Sequence, residues 1–374
     1  MPESNPPADP ARKQIRDLGT PKSDKLRDLR ERAIVGSLIG CAVITIGITL
    51  GIVFILLSQT IAFFDPAGHL NAQNEVSVVK PGDFFFGLEW NPLLGNEKHF
   101  GVWPLILGTF KVALVAMIFA LPIGLIAAIW LSEYAKPKVR GFIKPIIEVL
   151  AGIPTVVFGF FAVTFLTPVV LRWEWLQTKI KAEDGTYLKG EDGEFLTEPA
   201  GLFGLLEVDT YNALGAGLAV GIMCLPIVIS LSEDALRAVP RALREGSYGL
   251  GASKFETSVK VVVPAALSGV TAAFLLAIAR AVGETMIVAL AAGASPVKLI
   301  GQGSVTENLG SALALNESVL PMTGYMVKIF TGDAPYGTVE YFSSYAVAAT
   351  LFVITLGLTI LGNMVQKRFR EKYD

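Results

Sequence analysis

The sequence predicts an all-α integral membrane protein, a bundle of six spanning helices. Three observations predict it. The 374 residues are 52% hydrophobic and only 17% charged, where soluble domains carry roughly a quarter charged residues. The polar residues crowd into a few segments. Between them run apolar stretches of the length a bilayer demands, about 20 helical residues for a core of ~30 Å.

Six stretches qualify: 34–60, 105–131, 146–171, 211–232, 264–292 and 343–366. The first follows a polar segment, 1–32, that reads as an N-terminal tail. The apolar run behind it, from about Ala33 to Phe64, is too long for a cleaved secretory signal and reads as a retained helix. Trp103 and Trp130 bracket the second stretch, and Trp173 and Trp175 follow the third. Indole rings favour the headgroup zone. Pro122, Pro154, Pro226 and Pro264, with Gly152, punctuate the spans. Each proline removes a backbone donor and favours a kink.

Orientation follows from basic residues near the helix ends, which favour the cytoplasmic side. Lys136, Lys138, Arg140 and Lys144 form one group, and Arg237, Arg241, Arg244, Lys254 and Lys260 another. With six spans, these share a side with Arg27, Arg30 and Arg32 and with the 367–374 tail. Both termini are therefore expected in the cytoplasm. The permease domain spans 33–366, with outer loops 61–103, 172–209 and 293–342. The middle one is acidic and Gly-rich and reads as a hairpin or mobile insert.

The net charge of −2 gives no sign of nucleic-acid binding. Cys41 and Cys224 lie in apolar runs and read as packing residues, with no disulfide framework and no metal spacing. His69 and His99 read as ordinary surface residues.

The informative cytoplasmic stretch is 240–264, PRALREGSYGLGASKFETSVKVVVP. Pro240 suits a first helical turn. Val239, Leu243, Ser247 and Leu250 fall on one face at helical spacing. Gly251 suits the left-handed backbone of a helix stop. Ser253 and Glu256 have capping-box spacing, so a new helix begins at once. The expected product is a rigid elbow that converts a push into tilting of the bundle.

This stretch resembles the EAA loop of ABC-importer permeases. Glu245, Gly251 and Pro264 fall in register; Gly246 and Ser247 stand for the two alanines, and Val261 and Val263 for Ile and Leu. The resemblance implies a type I importer permease whose coupling helix docks on an ATPase, with Arg244, Glu245, Gly246, Ser247, Gly251 and Pro264 as coupling residues. No G-x-x-x-x-G-K-[ST] phosphate loop occurs in the sequence. ATP and its magnesium are thus expected on a separate ATPase dimer, with no cofactor on this chain.

Arg280 and Glu284 interrupt the fifth stretch at a spacing that would place them on one helix face. By helical rise, Arg280 lies about 24 Å from Pro264, inside the membrane. A charge there marks a functional site by default. Two readings stand. One is a structural salt bridge. The other is a guanidinium that attracts an oxyanion, for which its fork of donors is suited, while Glu284 holds it in place. Lys111, about 9 Å inside the second span, either snorkels to the outer interface or supplies a second attracting charge.

The segment ARAVGET resembles the Arg-x-x-Gly-Glu-Thr element of phosphate-type (Pst) permeases. IEVLAGIPTVVFG matches their third span at Glu148, Leu150, Ala151, Gly152, Ile153, Pro154 and Gly159, with Thr155 in a serine position. The resemblance covers roughly 105–171 and 211–370 and leans to the PstC-like over the PstA-like subunit. It implies a non-enzymatic subunit of a bacterial inner-membrane phosphate importer, with Arg280, Glu284, Thr285 and Thr155 along the path. It implies as partners a homologous permease, the ATPase dimer and an extracytoplasmic phosphate-binding protein. Ser230 and Ser232 are further hydroxyls that could line the path. A permease for another oxyanion (phosphonate, sulfate, molybdate), an ion-coupled secondary transporter and a non-transporting membrane scaffold are the rival readings.

Overall fold

A computed structural model describes residues 21–70, 76–93, 98–171, 177–179, 197–199, 208–299, 310 and 313–368. The tail residues 1–20 and 369–374, and most of the 172–209 insert, lie outside these.

The chain divides into residues 1–58 and 59–374. The described part of the first unit is helical and belongs to α1 (Pro21–Phe63). Its apolar side chains, Leu38, Val43, Ile46 and Phe54 among them, are exposed. Lipid is the solvent that tolerates such a surface over so many turns.

The second unit begins with small elements. Strands β1 (His69–Leu70) and β2 (Val76–Ser77) pair antiparallel, as do β3 (Trp90–Asn91) and β4 (His99–Phe100), around α2 (Pro81–Phe86). They close a cluster in which Phe63, Phe84, Trp90, Phe100 and Tyr325 are buried together. His69 belongs to this region: its ring lies 4.5 Å from that of Phe342 and its Nε2 is 2.5 Å from the Ala62 carbonyl oxygen, so it is a packed residue and not a plain surface one.

Helices α3 (Trp103–Ile129) and α6 (Ala213–Ala238) form the central pair. Small residues let the backbones approach, as membrane helices require in the absence of a hydrophobic drive between them. A Cβ added to Gly217 would lie 2.5 Å from Val115 Cβ, and one on Gly221 would lie 3.0 Å from the Ala116 carbonyl oxygen. Asn212 starts α6 by accepting the Gly215 N–H at 2.5 Å. Pro122 and Pro226 sit inside α3 and α6 without ending them.

Two expected spans are not single helices. Residues 146–171 are divided between α4 (Pro137–Leu150) and α5 (Thr155–Phe161), which continues as a π-helical stretch to Leu171; the two parts meet at 87°. Pro154 sets the corner, since proline disfavours the helical region for the residue before it. The start of the 264–292 stretch is also bent. After α7 (Arg241–Gly249) come α8 (Lys254–Thr257), a π turn at Ser258–Val262 and α9 (Val263–Ala265), and these meet α10 (Leu267–Val282) at 71°. The Pro264 ring opposes the carbonyl four residues earlier, inside that π turn. A second break, Gly283–Thr285, separates α10 from α11 (Met286–Ala291).

The 293–342 loop contains α12 (Met322–Lys328), and the last span is α13 (Val339–Arg368). Of the 172–209 insert, β5 (Gln177–Lys179) and β6 (Thr197–Pro199) pair antiparallel, as a hairpin requires. Among the described residues, four helices are long and apolar enough to cross a membrane, or up to six if each bent pair forms one span.

Candidate functional site: a braced elbow and a broken helix

The elbow has the form expected of it. Pro240 is the residue before α7 and not within its first turn. No residue of α7 is buried, and Leu250 and Phe255 are 91% and 68% exposed. Gly251 adopts φ +85° and ends the helix. Ser253 Oγ accepts the Glu256 N–H at 3.3 Å, and Glu256 Oε2 accepts the Ser253 N–H at 3.0 Å, which completes the capping box. Those bonds from Ser253, its backbone first, and the nearby Lys260 pull the Glu256 carboxyl down to about 2. Ser247 Oγ meets Thr257 Oγ1 at 2.9 Å and ties α7 to α8.

The brace is Arg244, which does not point away from the bundle. Its guanidinium donates to the Leu236 and Val239 carbonyls at 2.8 and 2.6 Å, at the end of α6, and to both Glu133 carboxylate oxygens at 2.9 and 3.3 Å. Glu133 lies in the π turn Trp130–Tyr134 that extends α3. One side chain thus joins α7 to the ends of both central helices. Glu245, Gly246 and Leu250 remain exposed on the outer face of the elbow.

A second brace was not anticipated from the sequence. Glu233, fully buried on α6, accepts from Arg140 at 2.7 Å and Lys144 at 2.8 Å on α4, with Arg237 Nε at 3.7 Å. Lys144 also pairs with Asp234. The only hint was the basic run 136–144 opposite two carboxylates near the end of a span. A carboxylate as buried as Glu233 needs such partners.

Three of the four predicted path residues, Arg280, Glu284 and Thr285, lie at the break. Arg280 stands in the last turn of α10 and is exposed. Glu284, 8% exposed, follows the Gly283 stop. The helix does not continue between them, so the i,i+4 pairing expected of them is not formed. Among the described residues Arg280 makes neither an ion pair nor a hydrogen bond. The Glu284 carboxylate instead caps α11, accepting the Ile287 N–H at 3.5 Å, and its carbonyl accepts the Thr323 hydroxyl of α12 at 2.8 Å. The Cys224 thiol of α6 contacts the Ala277 carbonyl of α10 at 3.9 Å.

Thr155 opens α5, half-buried, and α5 packs on α11: a Cβ on Gly159 would lie 3.2 Å from Ile287 Cα. The Thr285 hydroxyl donates to the Gly283 carbonyl at 3.3 Å. Ser232 is fully buried in α6, and its hydroxyl has no hydrogen-bond partner among the described residues. The Lys111 amine reaches the Ala314 carbonyl at 2.9 Å, so its stem carries the charge into the 293–342 segment.

The described residues form a helical bundle with an exposed elbow and a broken, charged helix, an architecture that suits a membrane permease subunit. Residues 120–371 match the family described as "Binding-protein-dependent transport system inner membrane component". The chain belongs to that family and is a permease of the ABC-importer type. Among similar proteins is the "Probable ABC transporter permease protein YqgH" of Bacillus subtilis, 28% identical over 94% of each chain. Proteins named "Phosphate transport system permease protein PstC" include that of Haemophilus influenzae, 31% identical over 78% of this chain and 82% of its own. That of Xylella fastidiosa is 29% identical over 77% and 80%. A solved structure of the MetNI methionine ABC transporter, inward facing, covers 72% of this chain and 98% of its own at 15% identity and a TM-score of 0.46.

Proposed function

We propose that this chain is the PstC-like permease of a phosphate importer. It shares the translocation path with a homologous permease and receives force through α7 from a separate ATPase dimer. In this reading α7 and both termini face the cytoplasm, and an extracytoplasmic phosphate-binding protein delivers its cargo to the opposite end. The exposed residues Glu245, Gly246 and Leu250 meet the ATPase. Ser247 and Gly251 hold the shape of the elbow, Pro264 its bend, and Arg244 its brace. ATP-driven closure of the ATPase pushes α7; the braces at Glu133 and Glu233 carry the push into α3, α4 and α6.

The observation that carries the substrate reading is the state of Arg280. Its guanidinium is exposed and unpaired among the described residues, beside a helix break in a stretch that the sequence reading places inside the membrane. An unpaired charge at that depth must face water or a partner chain and not lipid. A planar fork of donors with no internal carboxylate is suited to a tetrahedral oxyanion in passage. Glu284 contributes by fixing the break, with Thr285 and Thr155 at the adjoining helix starts. The names of the similar proteins support phosphate over other oxyanions.

The test is uptake of labelled phosphate by the importer reconstituted in vesicles. Arg280→Gln should abolish uptake while the ATPase still co-purifies; normal uptake by that variant rejects the anion role. Unlabelled sulfate, molybdate or phosphonate that competes better than phosphate would reassign the substrate. Uptake driven by an ion gradient without ATP would reject the mechanism.

A further inference from the structure

The bend at Pro154 sets α4 nearly perpendicular to residues 155–171, at 87°. It is a built corner and not a frayed end. The Ala151, Gly152 and Ile153 N–H groups donate to the Ile147, Val149 and Leu150 carbonyls at 3.2, 3.0 and 3.3 Å. With 155–171 as the spanning part, at the ordinary tilt of about 20°, α4 lies close to the membrane plane. Its 14 residues extend about 21 Å there.

One face of α4 is taken. Arg140 and Lys144, a turn apart, hold Glu233 of α6. Ala238 ends α6 only five residues after Glu233, so the contact lies about 7.5 Å short of the helix end by helical rise. That places α4 beside α6 and not beneath it, at the end of the bundle that continues into α7. The opposite face of α4 is open. Phe142, Ile146 and Val149 share it at helical spacing. Phe142 and Val149 are 70% and 73% exposed, and no residue of α4 is buried.

The residues that lead into α4 suit a membrane surface. Trp130 and Tyr134, in the π turn that extends α3, are exposed, and such rings favour the headgroup zone. Lys136 and Lys138 follow, both exposed. Neither forms an ion pair among the described residues. Lys254 of α8 stands over the Tyr134 ring, 4.9 Å from its centroid. The carboxylate of this turn, Glu133, is committed to Arg244, and the exposed Glu148 lies at the far end of α4. The two ammonium groups thus stand at the end of α4 that the aromatic pair marks as interfacial.

We infer that α4 is an interfacial helix lying in the leaflet on the α7 side, with Phe142, Ile146 and Val149 in the boundary between headgroups and acyl chains and Lys136 and Lys138 against anionic lipid headgroups. An apolar helical face flanked by basic residues suits that surface, and each basic side chain near it adds attraction to anionic lipid. A second permease could cover the apolar face but would leave the flanking rings and ammonium groups unexplained; a lipid surface accounts for all three. The inference needs the chain in a bilayer and no particular solute.

The test uses the whole importer in nanodiscs of phosphatidylglycerol and phosphatidylcholine, with single spin labels in a Cys41→Ser, Cys224→Ala background. The ratio of collisions with dissolved oxygen to collisions with an aqueous nickel chelate should be several-fold higher for a label at Val149→Cys than for one at Lys138→Cys. Equal ratios would put the apolar face in water or against the ATPase. A Val149→Cys label shielded from both reagents would put it against a second permease. Either result overturns the inference. Quenching of Trp130, read as the difference between the parent and Trp130→Phe, should be stronger with brominated phosphatidylglycerol than with equally brominated phosphatidylcholine. Lys136→Gln combined with Lys138→Gln should remove that preference. No preference in the parent, or one that survives the double substitution, overturns the anionic-headgroup assignment. These readouts involve no solute, so the phosphate reading stands or falls on its own uptake test.

Discussion

Arg244 of the elbow grips Glu133, 111 positions earlier in the chain, through two hydrogen bonds to the two oxygens of one carboxylate. The side chains are 16% and 6% exposed. The same guanidinium caps the α6 carbonyls, so its four bonds weld three helix ends. If α7 receives force from an ATPase as proposed, it must be stiff to transmit a displacement, and this contact braces it.

Arg244→Ala should therefore cost about 3 kcal/mol of stability, chiefly because the Glu133 carboxylate is left buried and unpaired. Glu133→Ala in the same chain should recover part of that loss. Transport per ATP hydrolysed should stay low in the double variant. Thermal unfolding and the ratio of uptake to hydrolysis measure the two effects; an unchanged ratio would mean the brace plays no part in coupling.

Glu233→Ala is the more damaging change. It leaves Arg140, Lys144 and Arg237 facing one another without their shared carboxylate. A loss of about 3–5 kcal/mol is expected, with α4 released from α6. Protease sensitivity within residues 137–150 should rise, and an unaltered digestion pattern would contradict the assignment.

Gly251→Leu forces a side chain into φ +85°. The left-handed backbone costs a non-glycine residue about 1–2 kcal/mol. The turn between α7 and α8 should reshape and the yield of co-purified ATPase should fall. Gly249→Ala is the contrasting control: a Cβ there meets open space, and helix propensity gains about 1 kcal/mol, so ATPase recovery should hold.

Glu256 gives a pH-dependent marker. Its carboxyl is held at about 2 by the capping box, below an ordinary Glu near 4.3. The folded value is depressed, so the cap's contribution is present above the ordinary value and is lost as pH falls through about 2. Ser253→Ala should return the carboxyl toward about 4.3, followed by carboxyl carbon NMR. A titration unmoved by that substitution would show that Lys260, and not the cap, depresses it.

Much of the elbow was readable from residue types alone. The cap at Ser253, the stop at Gly251 and the exposed face of α7 depend on local chemistry between residues at most a few positions apart. The same is true of the spans, because hydropathy over about 20 residues needs no knowledge of neighbours. The charged break was legible only in part. Arg280 and Glu284 stood out as intramembrane charges, but a four-residue spacing describes a continuous helix, and Gly283 ends it between them.

By itself the sequence determined that this chain lives in a bilayer, where its long apolar stretches run, and that a rigid amphipathic elbow projects from it. Tertiary structure alone decided which charges pair: Arg244 with Glu133, and Glu233 with Arg140 and Lys144. It alone bent two expected spans and, among the described residues, left Arg280 without a partner. The physical reason is range. Capping, propensity and hydropathy act over a turn or two, whereas a buried charge chooses its partner from whatever helix the packing brings within about 4 Å.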